Sequence, residues 1–84
     1  LLIDCDLRQP SQHRIFQVEN AVGMTNVLNE EISWRDALIH PVNGAGLDLL
    51  IAGPPSRRAA DLMGQRLLDL LEEMGREYDL VVLD

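Results

Sequence analysis

The sequence predicts an α/β fold in which helices flank a parallel sheet. Three short runs, at residues 1–3, 47–52 and 78–84, are almost entirely apolar, which is typical of strands buried on both faces of a parallel sheet. Helical patterns separate these runs, and strands that alternate with helices indicate right-handed crossovers within one sheet. We therefore expect a partial doubly wound parallel sheet with three strands, several short helices and one long helix.

Short helices are expected between the first and second strands. Pro10 suits the first turn of a helix that follows the first strand. A second helix is expected from Met24 to Asn29 with Thr25 as its cap. A third has Ser33 as its cap and Asp36 at its third helical position, in the pattern of a capping box.

A turn and a long helix complete the pattern. The turn Asn43–Gly46 precedes the middle strand, and Gly53 with two prolines closes that strand. The long helix is expected from about Ala59 to Arg76, and Gly64 lies inside it at a cost of about 1 kcal/mol relative to alanine. Its apolar residues recur at helical spacing: Leu62, Met63, Leu67, Leu70, Leu71 and Met74.

The composition limits the possible functions. The 84 residues suffice for one small domain, and no apolar run approaches the roughly 20 residues of a membrane span. The formal charge of −7, from 14 acidic and 7 basic residues, argues against nucleic acid as a partner. All the basic residues are arginine, so a phosphate site that needs lysine must take it from outside this segment. Cys5 is expected to be a small buried residue in a strand, and His13 and His40 to be surface residues.

Carboxylates follow two of the predicted strands. Asp4 and Asp6 come directly after the first strand, and Asp84 ends the last one. Because the carboxyl ends of parallel strands share one edge of a sheet, we expect these acids to meet there. Carboxylates in this position can hold Mg²⁺ or orient an attacking hydroxyl in phosphoryl transfer. They can also simply cap a helix or turn, and Arg8 can contact a phosphate or pair with Asp6.

Four segments, in order along the chain, resemble motifs of one family. The apolar run and Asp-x-Asp-x-Arg-x-Pro at residues 2–10 resemble the second Walker A-type motif of bacterial tyrosine kinases. These are P-loop kinases of capsule and exopolysaccharide export, related to the Min and Par partitioning ATPases. Residues 23–28 resemble the family's Gly-Leu-Ser-x-x-Leu segment, residues 46–55 its next strand and turn, and residues 78–84 its Walker B strand.

The resemblance implies a site and its ligands. The expected fold is the doubly wound sheet of a P-loop NTPase, with the first strand of this chain between the other two. Asp4 is the candidate base toward a substrate tyrosine hydroxyl. Asp6 is expected near Mg²⁺ and the phosphates of ATP, Arg8 is a candidate phosphate contact, and Asp84 is expected to hold a water of the metal shell. ATP and Mg²⁺ are the implied cofactors.

The resemblance also implies an assembly and a location. Kinases of this group form rings at the cytoplasmic face of the membrane and phosphorylate tyrosine-rich tails of neighbouring subunits. The implied partners are therefore neighbouring kinase subunits and a membrane-anchored activator or polysaccharide co-polymerase. The glycine-rich P-loop and the tyrosine cluster lie outside these residues. We therefore expect residues 1–84 to be an internal fragment of a single kinase domain, inactive by itself.

Two other functions fit part of the pattern. In a Min- or Par-type placement ATPase of the same fold, the acids would position a water for ATP hydrolysis, although the Arg8-x-Pro10 continuation favours the kinase. In a response-regulator receiver domain, residues 77–84 would carry the phosphoacceptor aspartate. An additional strand and about two additional helices between the acidic pair and that strand oppose the receiver.

Overall fold

The predicted parallel sheet is present in a computed structural model, which describes residues 1–42 and 46–84. It consists of β1 (Leu2–Ile3), β2 (Leu49–Leu50) and β3 (Val82–Leu83) in the order β2-β1-β3. Both pairings are parallel, so both connections between the strands are crossovers. The predicted α/β class is therefore confirmed, and the first strand is central as expected.

Four helices connect and cover the strands. They are α1 (Gln12–Ile15), α2 (Met24–Leu28), α3 (Trp34–Ala37) and α4 (Arg57–Gly75). Only α4 is long, within two residues of its predicted bounds at both ends. The predicted turn at Asn43–Gly46 falls largely on residues 43–45, which lie outside the described residues. In the described part of the chain, no helix combines the length and the apolar character needed to cross a bilayer.

Serine caps begin two of these helices. The Ser33 hydroxyl accepts a hydrogen bond from the Asp36 backbone N–H at 3.2 Å, as the sequence predicts. The Ser56 hydroxyl accepts one from Ala59 N–H at 3.1 Å, which starts α4. The side-chain amide of Asn29, the residue that follows α2, donates to the same hydroxyl at 3.0 Å. This cap therefore also ties α2 to the beginning of α4.

The predicted cap of α2 is wrong, because Thr25 lies inside the helix and is buried. Gly23 is the cap residue, and its N–H donates to the Asn26 side-chain oxygen at 2.9 Å. The N–H groups of Met24 and Thr25 donate to carbonyls at the end of β2, at 2.7 and 2.8 Å. These carbonyls thus satisfy two N–H groups at the start of α2 that have no partner within the helix.

The hydrophobic core lies between the first two strands and the helices. Ile3, Leu49 and Leu50 are completely buried, as expected for strands of a parallel sheet. Trp34 is also buried, packs against the Tyr78 ring and donates from its indole nitrogen to Glu73 of α4 at 3.2 Å. The helices contribute further buried apolar side chains to the core: Met24, Val27, Leu28, Ala37, Ala59 and Met74.

The expectation that the last strand is buried on both faces is wrong. Val82 and Leu83 each remain 45% exposed, whereas both residues of β2 are fully buried. Within the described residues, β3 lies at the edge of the sheet and pairs with β1 alone. Its apolar composition therefore predicts a strand correctly but does not determine how deeply that strand is buried.

Candidate active site

The acids that follow β1 and β3 lie side by side at the carboxyl edge of the sheet, which we define as Asp4 to Gln12 together with Asp84. The Asp84 N–H donates to the Ile3 carbonyl at 2.9 Å, and the Cys5 N–H donates to the Asp84 carbonyl at 3.0 Å. The backbone ladder between the two strands thus continues past their last assigned residues. The prediction that these acids share one edge is confirmed for the backbone.

Asp4 is fully buried and bonded on both carboxylate oxygens. Its Oδ1 accepts from the Asp6 N–H at 3.1 Å, and its Oδ2 accepts from the N–H groups of Ser11 and Gln12 at 3.0 and 3.1 Å. Hydrogen bonds to an ionised acceptor are stronger than those between neutral groups. Asp4 therefore fastens the loop after β1 and the start of α1 to the strand.

Asp6 and Arg8 lie on the outer side of that loop and are exposed. The Asp6 Oδ1 accepts from the Gln9 N–H at 3.1 Å, which closes a local turn. Asp6, Arg8 and Gln9 line a concavity of about 310 Å³ at the carboxyl edge. Within the described residues, Arg8 and Asp6 form no ion pair. Both side chains are therefore accessible to a ligand in solvent.

Asp84 is exposed, and its side chain is held by a residue that the sequence did not suggest. The Gln12 side-chain nitrogen donates to Asp84 Oδ2 at 2.7 Å. Gln12 belongs to no motif, and 72 positions separate it from Asp84 along the chain. Only the packing of α1 beside the end of β3 brings the two side chains together.

The pKa of the Cys5 thiol reflects the negative charge at this edge. Burial raises the pKa of the Cys5 thiol, and the nearby charges of Asp4 and Asp84 raise it further. The thiol therefore stays protonated at neutral pH. Cys5 lies just after β1 and continues its ladder toward Asp84, but it is only half-buried, so the expected burial is partial. The same charges create a negative potential at the edge, which favours a bound cation.

The residues at this edge fit Mg²⁺ bound together with phosphates. Within residues 1–42 and 46–84, no three acidic, histidine or cysteine side chains lie close enough to enclose a metal ion. Mg²⁺ rarely needs such a cage, because it keeps several waters and binds through one or two carboxylates and substrate phosphates. Asp6 and Asp84 offer suitable oxygen ligands. Their assignment to the metal, like those of Asp4 and Arg8, remains a prediction.

Two glycines of the family-like segments meet beside this edge. A Cβ atom on Gly23 would lie 2.1 Å from the Ile51 carbonyl oxygen, and one on Gly53 would lie 2.6 Å from the Thr25 hydroxyl. Gly53 also has a φ of +84°, which favours glycine. The side chain of Asn20, which the sequence did not suggest, bonds both the N–H and the carbonyl of Gly53 at 2.8 Å. The turn after β2 is therefore held tightly against α2.

Comparison with known proteins extends the resemblance to the whole chain. No family model matches it. The tyrosine-protein kinase YwqD of Bacillus subtilis is 39% identical over 85 aligned positions, which cover 100% of this chain and 35% of that protein. The Klebsiella pneumoniae protein named as a putative tyrosine-protein kinase in the cps region is 34% identical, again over 100% of this chain and over 12% of the relative.

Solved kinase domains share the fold. The kinase domain of VpsO superposes with a TM-score of 0.88 and 34% identity, over 99% of this chain and 41% of that structure. The kinase domain of the Escherichia coli tyrosine kinase ETK gives a TM-score of 0.87 and 28% identity, over 99% of this chain and 32% of that structure. These findings do not favour a receiver domain or a placement ATPase. From its first residue to its last, the chain is homologous to part of the kinase domain of the bacterial tyrosine-protein kinases, as its motifs predict.

Proposed function

We propose that this chain is part of an ATP-dependent protein-tyrosine autokinase that regulates capsule or exopolysaccharide synthesis and export. The observation that carries the proposal is the carboxyl edge of the sheet. There, two exposed carboxylates, Asp6 and Asp84, lie beside the buried Asp4 in a chain that matches kinase domains along its whole length. Because the chain spans about a third of YwqD, 35%, the activity of the whole protein is a proposal.

The proposed roles follow from exposure and charge. Asp6 and Asp84 bind the hydrated metal of Mg·ATP, and the Arg8 guanidinium binds its phosphates. Bound Mg²⁺ would neutralise negative charge on the phosphoryl group that is transferred. The lysine and glycine-rich loop that bind phosphate in such a site would come from elsewhere in the same domain, since this chain contains no lysine.

Asp4 is the proposed base toward the tyrosine hydroxyl, and its burial constrains that role. A general base must lie within hydrogen-bond reach of the proton that it accepts. Asp4 is fully buried under the loop that its own carboxylate fastens. A tyrosine hydroxyl therefore reaches it only if this loop moves when substrate binds.

We further propose the assembly that the family resemblance implies. Neighbouring kinase subunits in a ring would supply the substrate tyrosines. A membrane-anchored activator or a polysaccharide co-polymerase would hold the ring at the inner face of the cell membrane. The name of the Klebsiella pneumoniae relative refers to a cps region, which supports the link to capsule for that protein.

The test is phosphotyrosine formation by the intact protein with ATP and Mg²⁺. Asp84→Asn and Asp6→Asn should each lower the rate about 100-fold or more, as expected when a charge that stabilises the transition state is removed. Asp79→Asn is the matched control, because Asp79 is an exposed acid outside the carboxyl edge. ATP hydrolysis without phosphotyrosine, or full activity of Asp84→Asn, would contradict the proposal.

A further inference from the structure

Gln12, the first residue of α1, is bonded to both carboxylates that follow the paired strands β1 and β3. Its backbone N–H donates to Asp4 Oδ2 at 3.1 Å, and its side-chain amide donates to Asp84 Oδ2 at 2.7 Å. Since Asp4 follows β1 and Asp84 follows β3, one residue links the two acids across the strands. The backbone bond does not depend on the side chain, so the two links can be separated by mutation.

The chemistry of the glutamine amide suits an acid that has to keep its charge. The amide NH₂ is a neutral donor, so it orients Asp84 without cancelling its negative charge. Arg14 on the same helix donates to the Pro10 carbonyl at 3.3 Å. Among the described residues, Asp84 forms no ion pair. An oriented, uncompensated carboxylate is the arrangement that a cation-binding acid requires.

Orientation matters here because Asp84 is exposed. An exposed aspartate samples several rotamers, and a metal that binds it must select one of them at an entropic cost. The bond to Gln12 restricts that choice before the metal arrives. Losing an outer partner of a metal ligand typically costs 10–100-fold in affinity, and we expect the lower end of that range for an exposed bond.

We propose that Gln12 is a positioning residue that holds the side chain of Asp84 ready for the metal of Mg·nucleotide. This inference rests on the proposed function, since it concerns the same site. Gln12 touches neither metal nor nucleotide in this proposal and acts only through Asp84.

The experiment measures Mg²⁺-dependent ADP binding to the intact protein by calorimetry. Gln12→Met keeps the length of the side chain and the backbone N–H but removes the donor. It should raise the Mg²⁺ concentration required for half-maximal tightening of ADP binding about tenfold. ADP binding without Mg²⁺ and the midpoint of thermal unfolding should stay at wild-type values. Gln65→Met is the matched control, because Gln65 is exposed on α4 away from this edge.

A double-mutant comparison tests whether Gln12 acts through Asp84. In an Asp84→Ala background, Gln12→Met should have no further effect on the Mg²⁺ dependence. An equal effect in both backgrounds, or a Gln12→Met protein that matches Gln65→Met, would overturn the inference and leave the proposed function intact. If ADP binding to the wild-type protein does not depend on Mg²⁺, both the proposed function and this inference are overturned.

Discussion

Acids lie at both edges of the sheet, but their partners differ. At the amino edge, which we define as His40, Asp48 and Tyr78, Asp48 accepts from the Tyr78 hydroxyl at 2.5 Å through Oδ2 and contacts His40 Nδ1 at 2.6 Å through Oδ1. At the carboxyl edge, Asp6 and Asp84 each have one bonded oxygen, and the described residues offer no hydrogen bond to the other. A carboxylate bonded on both oxygens, such as Asp48 or Asp4, stabilises structure in this conformation, whereas one with a free oxygen can bind a ligand directly.

Titration behaviour reinforces this contrast. The Tyr78 hydrogen bond lowers the pKa of Asp48 below its ordinary value, and His40 lowers it further. Burial, together with the bond to Asp48, raises the pKa of Tyr78 to about 12. The hydrogen bond therefore keeps Tyr78 protonated and Asp48 ionised, and both carboxylate oxygens of Asp48 have a partner. His40 is exposed, as expected from the sequence, but it is paired with an acid rather than isolated.

The largest expected effect concerns the glycine contact beside the carboxyl edge. Gly23→Ala would force a Cβ to within 2.1 Å of a backbone carbonyl, and should destabilise the protein by about 3 kcal/mol or more. Gly64→Ala is the control, because a Cβ there meets nothing within 4 Å in the middle of α4. That variant should be more stable by about 0.5–1 kcal/mol. Urea denaturation of the intact protein measures both, and similar stability of the two variants would contradict the close contact.

The second prediction compares two acids of the carboxyl edge: Asp4, which holds the loop after β1, and Asp6, which keeps one carboxylate oxygen free for a ligand. Asp4→Ala leaves three partly buried backbone N–H groups without their acceptor, and should cost about 2–3 kcal/mol of unfolding free energy. Asp6→Ala removes one exposed hydrogen bond, and should cost about 0.5 kcal/mol. Denaturant titrations compare the two. If Asp6→Ala is as unstable as Asp4→Ala, the prediction that Asp4 contributes far more to stability than Asp6 is wrong.

The smallest effect concerns the amino edge and its dependence on pH. Because Tyr78 has a raised pKa in the folded state, its contribution is complete below pH 10 and is lost as the pH rises toward 12. Because Asp48 has a lowered pKa, its contribution is present above about pH 4 and is lost at lower pH. Tyr78→Phe should lower the free energy of unfolding by about 1 kcal/mol at pH 7. It should also reduce the loss of stability at high pH and at low pH.

Thermal unfolding midpoints across this pH range test the amino-edge prediction. The Tyr78→Phe protein should show a flatter profile than wild type between pH 10 and 12, and a smaller decline at acidic pH. Parallel profiles for the two proteins would show that the Tyr78–Asp48 bond does not contribute to stability.

Several elements were predictable because their causes are local. The spacing of Leu62, Leu70 and Met74 predicts α4, and Ser33 followed by Asp36 predicts the cap of α3; the structure confirms both. The cap of α2 was not predictable, because its first amides bond to the carbonyls of Ile51 and Ala52 just after β2, more than 20 positions away. The exposure of β3 was not predictable either, since it depends on which strands lie beside it.

Three features can be inferred from the residues alone: the alternation of strands and helices, the acids at the strand ends, and the motifs shared with bacterial tyrosine-protein kinases. These features follow from side-chain periodicity and from residues adjacent along the chain. Three contacts become visible only in the folded chain: Asp4 is bonded on both oxygens, Gln12 holds Asp84, and Asn20 bonds Gly53. The bonds made by Gln12 and Asn20 join residues 72 and 33 positions apart. Hydrogen bonds of that kind form only where packing has already brought the donor and the acceptor within reach.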